Sequence, residues 1–364
     1  MVKRVQPFNM DEIKILYTEA VDLLKQLIAI PSFSKEEDGT AACIADFLKK
    51  KQIPFQQHGN NIWASNLHFD IKKPTILLNS HHDTVKPNSG YQFNPFEPIV
   101  SDGKLFGLGS NDAGGCLVSL LACFVYYYPK TDLAYNLIIA ATAEEEISGK
   151  NGVEALIPQL PPIDFAIVGE PTLLNLAIAE RGLMVVDAKT VGVAGHAARN
   201  EGENALYKAV KDIEWIRQYH FDRVSDLLGP IKMTVTSFNT ENKQHNMVPA
   251  SAEYLIDIRV NELYSFEEIL GTLKAHLKAE ITPRSTRIKS TLIDSNHPIV
   301  KVGESLGSIC YGSPTTSDKA LMPFPALKVG PGDSARSHTA DEFIYLLEIE
   351  KGIEFYINLL NGVL

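Results

Sequence analysis

Apolar residues recur at helical spacing from 10 to 30 (Ile13, Leu16, Ala20, Leu23, Leu24, Leu27) and stop at Pro31, which predicts an amphipathic helix with a clean end. A second amphipathic helix is predicted over 36–50. The pattern then changes to short apolar runs bounded by turn residues. These predict strands at 61–66, 74–79, 136–142 and 165–168. Between them, 107–112 reads as a Gly-rich turn and 114–127 as a buried helix. Strands that are continuously apolar and alternate with helices predict an α/β domain: a mostly parallel sheet with helices on both faces.

After Pro171 the texture shifts. From 177 to 194 apolar and polar residues alternate, and a helix over 204–218 follows. Strands at 231–236 and 252–260, a helix over 265–279 and a strand over 288–292 complete a β-α-β-β-α-β order. That order predicts a small α+β, ferredoxin-like sheet with helices on one face. The expected organisation is one catalytic domain, 1–176 and 291–364, interrupted by an inserted domain over 177–290. A chain of 364 residues is long enough for two such domains.

Charge narrows the partners. With 44 acidic against 34 basic residues the net charge is −10, which argues against nucleic acid and anionic membranes, whose phosphates need a basic patch. The longest apolar stretch, 117–128, is shorter than the roughly 20 residues that span a bilayer. Residues 1–7 lack the apolar core of a signal peptide, and the four cysteines have no CxxC spacing. A cytoplasmic protein with reduced, buried thiols is expected.

The chemistry concentrates where strands end. The run Thr75-Ile-Leu-Leu78 delivers Ser80-His-His-Asp-Thr84, the strand 136–142 runs into Glu144-Glu-Glu146, and 165–168 into Gly169-Glu-Pro171. A lone His-x-Asp is more often an ordinary surface or core feature, a Gly-flanked Asp such as Asp112 a turn or cap, and three glutamates a solvated face. Three like charges at the end of a core strand are costly, however, unless something cationic compensates them. In open parallel sheets, ligands bind beyond the carboxyl ends of strands. His, Asp and Glu without thiolate form a mixed N/O set suited to zinc, cobalt or manganese, and a carboxylate left over can serve as a base.

Five ordered segments carry a resemblance: Ser80–Thr84, Gly109-Ser-Asn-Asp-Ala-Gly-Gly115, Thr142-Ala-Glu-Glu-Glu-Ile-Ser-Gly149, Val168-Gly-Glu-Pro-Thr172 and Gly330-Pro-Gly-Asp-Ser-Ala-Arg-Ser-His-Thr-Ala-Asp-Glu342. In this order they resemble the di-zinc metallopeptidase family of acetylornithine deacetylase, succinyl-diaminopimelate desuccinylase and aminoacylase. The resemblance implies two divalent cations, expected to be zinc. His81 and Glu170 would hold one and Glu146 and His338 the other, with Asp112 bridging them and joined to Ala113 by a cis peptide. Asp83 would orient His81, and Glu145 would be the general base. His82 occupies a variable position and is read as a neighbour only. The inserted domain would dimerise, and His196 would reach the partner subunit's site to steady an oxyanion. Asn246 and Arg259 match substrate-binding elements, Arg259 suiting a carboxylate; its bland alternative is a strand residue in a surface ion pair.

Some positions depart from the family pattern. Gly107-Leu-Gly109 replaces Gly-Arg-Gly, Asp112-Ala-Gly-Gly115 lacks a lysine, and the loop after His196 lacks the common proline. The C-terminal segment most resembles the acetylornithine deacetylase branch, so the expected activity is removal of the acyl group from N-acetyl-L-ornithine in arginine synthesis by a homodimer. Competing expectations are N-acetyl-lysine, N-acetyl-citrulline, an N-succinyl amino acid or a dipeptide as substrate, and, from another class, a non-catalytic amino-acid-binding relative. No complete phosphate-cradling fingerprint follows Gly107.

Overall fold

A computed structural model describes residues 10–364; the expectation about a signal peptide in the first seven residues lies outside them. The main strands are β1 (Gln56–His58), β2 (Asn61–Ser65), β3 (Thr75–His81), β4 (Asn136–Thr142), β5 (Phe165–Val168) and β6 (Leu176–Glu180). They continue with β7 (Gly182–Val191), β8 (Lys232–Asn239), β9 (Ser251–Val260), β10 (Glu280–Pro283) and β11 (Ala326–Lys328). The principal helices are α1 (Met10–Ile28), α2 (Asp38–Lys50), α3 (Gly115–Tyr127), α4 (Ala205–Gln218), α5 (Phe266–His276), α6 (Pro298–Ser305) and α7 (Leu346–Asn361). The chain divides into two compact units, Met1–Ile178 with Ile293–Tyr311 and Ser317–Leu364, and Ala179–Leu292 with Gly312–Thr316.

The first unit is built on a mixed sheet in the order β1-β2-β4-β3-β5-β11-β6. Its centre, β4-β3-β5-β11, is parallel, while β1, β2 and β6 pair antiparallel at the flanks. The unbroken apolar runs are explained by burial on both sides. Ile76, Leu78, Leu137, Ile139 and Ile167 enter one core, and Leu77, Ile138, Ala140, Ala166 and Val168 enter another. Helices α1, α3 and α7 pack on one another over the first core. The second core is closed by the one-turn helix Val153–Leu156 and the turn at Asp318–Leu321, so helices cover both faces but unequally.

The second unit is a four-stranded antiparallel sheet in the order β8-β9-β7-β10. Helix α4 packs on β7, β8 and β9, and α5 adds Phe266, Ile269 and Leu273 to the same core. This is the expected ferredoxin-like order. Two boundaries differ from expectation. The segment 177–194 is two strands: β6 is buried at every position, and strict alternation begins only at Gly182. The fourth strand of the small sheet is 280–283, not 288–292. It is short, carries Ile281 as its one aliphatic residue and ends on Pro283, which an edge strand tolerates. Thr291–Leu292 pairs instead with Ala179 and Glu180 of β6.

Among the described residues no helix is long and apolar enough to cross a membrane.

Candidate metal centre

Three neighbouring parallel strands each end in a site residue. β3 ends on His81, β4 runs through Ala143 into Glu144–Glu146, and β5 runs through Gly169 into Glu170. Because β3 pairs in parallel with both β4 and β5, all three ends lie along one edge of the sheet. The fourth contributor is the turn before α3, where the peptide between Asp112 and Ala113 is cis. Gly109 makes that turn possible: its φ is +74°, and a Cβ there would sit 2.6 Å from Thr84 Cγ2. The fifth is the loop 330–342, which brings His338.

These residues fall into two groups of metal-competent side chains, His81–Asp112–Glu170 and Asp112–Glu146–His338, with donor atoms within 4.8 Å of one another in each. Asp112 belongs to both. Its Oδ1 is 3.4 Å from His81 Nε2, and its Oδ2 is 3.7 Å from His338 Nε2. Glu170 Oε1 stands 3.8 Å from His81 Nε2, and Glu146 Oε2 stands 2.9 Å from His338 Nε2. Glu145 is in neither group, although its Oε2 is 3.9 Å from His81 Nε2.

The electrostatics call for positive charge at this edge. Burial pushes the Glu145 carboxyl well up; His81 opposes that, while Glu170, Asp318 and Glu146 add to it. Burial disfavours charge on His81, but Glu145, Asp112, Asp83 and Glu170 outweigh it and raise its pKa well above the usual range. Burial would also raise Asp112, yet His81, Ser337 and His338 hold it below the ordinary carboxylate value. Hard, mixed N/O donors around a shared carboxylate suit a pair of divalent cations, so the residues present fit that cofactor.

The tautomer of His81 is set from behind. Its Nδ1 lies 2.9 Å from the Asp83 carbonyl oxygen and 3.4 Å from Asp83 Oδ1, so Nδ1 carries a proton and Nε2 faces the cluster. Orientation of His81 by Asp83 therefore runs chiefly through its main chain. The Asp83 carboxylate also fastens the glutamate turn, accepting from the amides of Glu145 (3.0 Å) and Glu146 (3.2 Å) and from Ser34 Oγ (2.7 Å).

Sequence reasoning missed the other supports. The Glu342 carboxylate accepts from the amides of Gly109, Asn111 and Asp112 at 3.0, 2.8 and 2.9 Å. Burial and Asp112 push its pKa up to about 8 against the pull of those amides. Asp318 lies beneath the strand ends, taking hydrogen bonds from Asn79 (2.9 Å) and Thr142 (2.7 Å), and burial raises it to about 6. Glu144, the first of the three glutamates, turns away and accepts from Asn151. Glu342, four residues beyond His338, lies in the last of the five family-like segments, whereas Asp318 lies in none of them and reads as an ordinary polar turn.

His82 faces the other way, as period-two alternation requires. Its Nδ1 meets Thr40 Oγ1 at 2.9 Å, its Nε2 meets the Asn60 carbonyl at 3.0 Å, and burial lowers its pKa to about 4. It is a neutral brace between α2 and the turn at Asn60. Replacing it with alanine is expected to cost about 1–3 kcal/mol by stranding those buried partners, with metal stoichiometry unchanged. Chemical denaturation and metal analysis of the same preparation check both halves.

The remaining sequence candidates belong to the second unit. His196 and Asn246 share a two-strand ribbon, Gly195–His196 against Met247–Val248, in which the Ala197 amide donates to the Asn246 carbonyl at 2.9 Å. His196 is exposed, and its Nδ1 accepts from the Ala198 amide, leaving Nε2 directed outward from that bond. Arg259 is half-buried in a bidentate pair with Asp257 on its own strand, at 2.8 and 3.1 Å, the ion pair expected as its bland alternative.

The chain is similar to several known proteins. Succinyl-diaminopimelate desuccinylase of Rickettsia felis is 27% identical over 278 residues, covering 71% of this chain and 73% of the relative. Aminopeptidase PepT of Bacillus cereus shares the fold with a TM-score of 0.76 at 17% identity, over 95% of this chain and 98% of that one. A dinuclear metal binding peptidase of the M20 family from Bacillus subtilis does so with a TM-score of 0.72 at 14% identity, over 96% and 99%. The model of peptidase family M20/M25/M40 matches residues 77–362, and the chain belongs to that family.

Proposed function

We propose that the chain, a metal-dependent hydrolase of the M20 family, removes the acyl group from a small N-acyl amino acid. The observation that carries this reading is Asp112 shared between two metal-competent groups, with Glu145 beside them and in neither. His81 and Glu170 would hold one cation, Glu146 and His338 the other, and Asp112 both. Two bound divalent cations, zinc in our reading, supply Lewis acidity that polarises a carbonyl and brings the pKa of water near neutrality.

The residues of the chain then do the rest. Asp83 holds the main chain of Glu145, which takes a proton from the attacking water and passes it to the departing amine. In a homodimer formed through residues 177–290, His196 of one subunit would donate to the oxyanion formed in the other. Asn246 and Arg259 would bind the substrate; Arg259 uses Nε and Nη2 on Asp257, so a substrate carboxylate would be met by Nη1. A cytoplasmic location completes the reading.

Two substrates are favoured by different observations. The segment Gly330–Glu342 points to N-acetyl-L-ornithine. Relatives such as the 27%-identical desuccinylase favour an N-succinyl amino acid of lysine synthesis, and we give that reading the greater weight. Measuring kcat/KM on N-acetyl and N-succinyl forms of ornithine, citrulline, lysine and diaminopimelate separates them. N-succinyl-diaminopimelate is expected to lead. Leadership by N-acetyl-L-ornithine reverses the order, and no turnover of any member by metal-loaded protein ends the proposal.

A further inference from the structure

Glu342 stands outside both ligand groups yet is fastened to the turn between them. It is 2% exposed, and its two oxygens take up three main-chain N–H groups, those of Gly109, Asn111 and Asp112. Four residues before it is His338. Between them, Asp341 Oδ1 accepts from the amides of Gln92 (2.8 Å) and Phe93 (3.1 Å). The stretch 338–342 is thus anchored at its far end to the turn that carries Asp112.

The two groups depend on this anchor unequally. Of the second group, Asp112 and His338 both lie on segments that Glu342 ties together, while Glu146 is held by Asp83. Of the first group only Asp112 does. His81 closes β3 with its ring fixed by Asp83, and Glu170 follows β5.

We infer that Glu342 is a positioning residue for the second cation: it couples the bridging carboxylate to His338, so that the Asp112–Glu146–His338 position is built only while this anchor holds. The inference rests on the two-metal reading above. A carboxylate matches three converging N–H donors; a glutamine presents one oxygen and sets its own NH2 against the remaining donor. The turn must then shift, and Asp112 Oδ2 and His338 lose their mutual register.

The test is calorimetric titration of metal-free protein with Mn2+, in parallel with electron paramagnetic resonance of the Mn2+-loaded samples, for wild type, E342Q, E342D and E348Q. Glu348 is the comparator, since it grips Arg336, two residues before His338, at 2.6 and 2.8 Å and makes no hydrogen bond to residues 109–112. Wild type should bind two equivalents and give the signal of a coupled pair. In E342Q the second equivalent should weaken by about 10–100-fold, the scale of lost ligand support, with the first nearly unchanged and the coupled signal gone. E342D, charged but too short to span three amides, should move the same way and serves if E342Q does not fold. E348Q should leave both equivalents intact.

Wild-type binding of the second equivalent in E342Q and E342D overturns the inference, as does equal weakening of both equivalents or a matching loss in E348Q. Wild type that binds fewer than two equivalents overturns the two-metal reading along with it. Wild type that binds two but deacylates nothing leaves Glu342's role standing and removes only the proposed activity.

Discussion

Glu145→Gln protein is expected to keep two equivalents of metal and lose about 10³-fold in kcat, within the 10²–10⁴-fold range for a positioned general base. The substitution is nearly isosteric. The main-chain amide of Glu145, which donates to Asp83, is untouched, so the turn and the neighbouring ligand Glu146 should stay in place. Removing a carboxylate that burial and three acidic neighbours push well up also relieves repulsion, so the variant should be no less stable than wild type. Metal analysis with steady-state kinetics checks the pair of outcomes. Unchanged metal with kcat within tenfold of wild type would take the role of base away from Glu145.

Asp112→Asn strikes the other half of the machinery. It removes the negative charge shared by the two groups and places an amide nitrogen toward either His81 or His338. Both cations should weaken together, by more than the roughly 10–100-fold that follows loss of an indirect support, and hydrolysis should fall to background. Dialysis against a weak chelator followed by metal counting reads this directly. Loss of one equivalent with full retention of the other would mean that Asp112 serves a single cation, and the paired geometry would have to be redrawn. The two variants differ in kind, since the first separates proton transfer from metal binding and the second removes both.

Three of the candidate ligands, His81, Glu146 and Glu170, could be read from the chain because they lie at or just beyond the ends of strands. A run such as Leu137-Ile-Ile-Ala-Ala-Thr142 announces a strand buried on both faces, and the acids just beyond it are conspicuous because nothing apolar explains them. Supports made by main-chain donors leave no such trace. The three amides on Glu342 and the two on Asp83 come from turns whose geometry depends on tertiary packing, and an N–H group has no letter in the sequence. Asp318 is invisible for a related reason: its partners Asn79 and Thr142 are distant in the chain and adjacent only once β3 and β4 pair. The misplaced strand at 288–292 reflects a plain limit of periodicity. A four-residue edge strand ending in proline offers too little alternation to outweigh a more apolar neighbour.

Finally, because the strand ends abut the ligands, different parts of the centre should open to solvent by different routes. The amides of β3 and β4 lie in the middle of the sheet, where hydrogen exchange proceeds through the largest unfolding events. His338 has a side chain 56% exposed in a loop with left-handed backbone at positions 338 and 341, and its neighbourhood should exchange through small local fluctuations. Deuterium labelling would then divide the centre into a slow half, inherited from the sheet, and a fast half, governed by the loop.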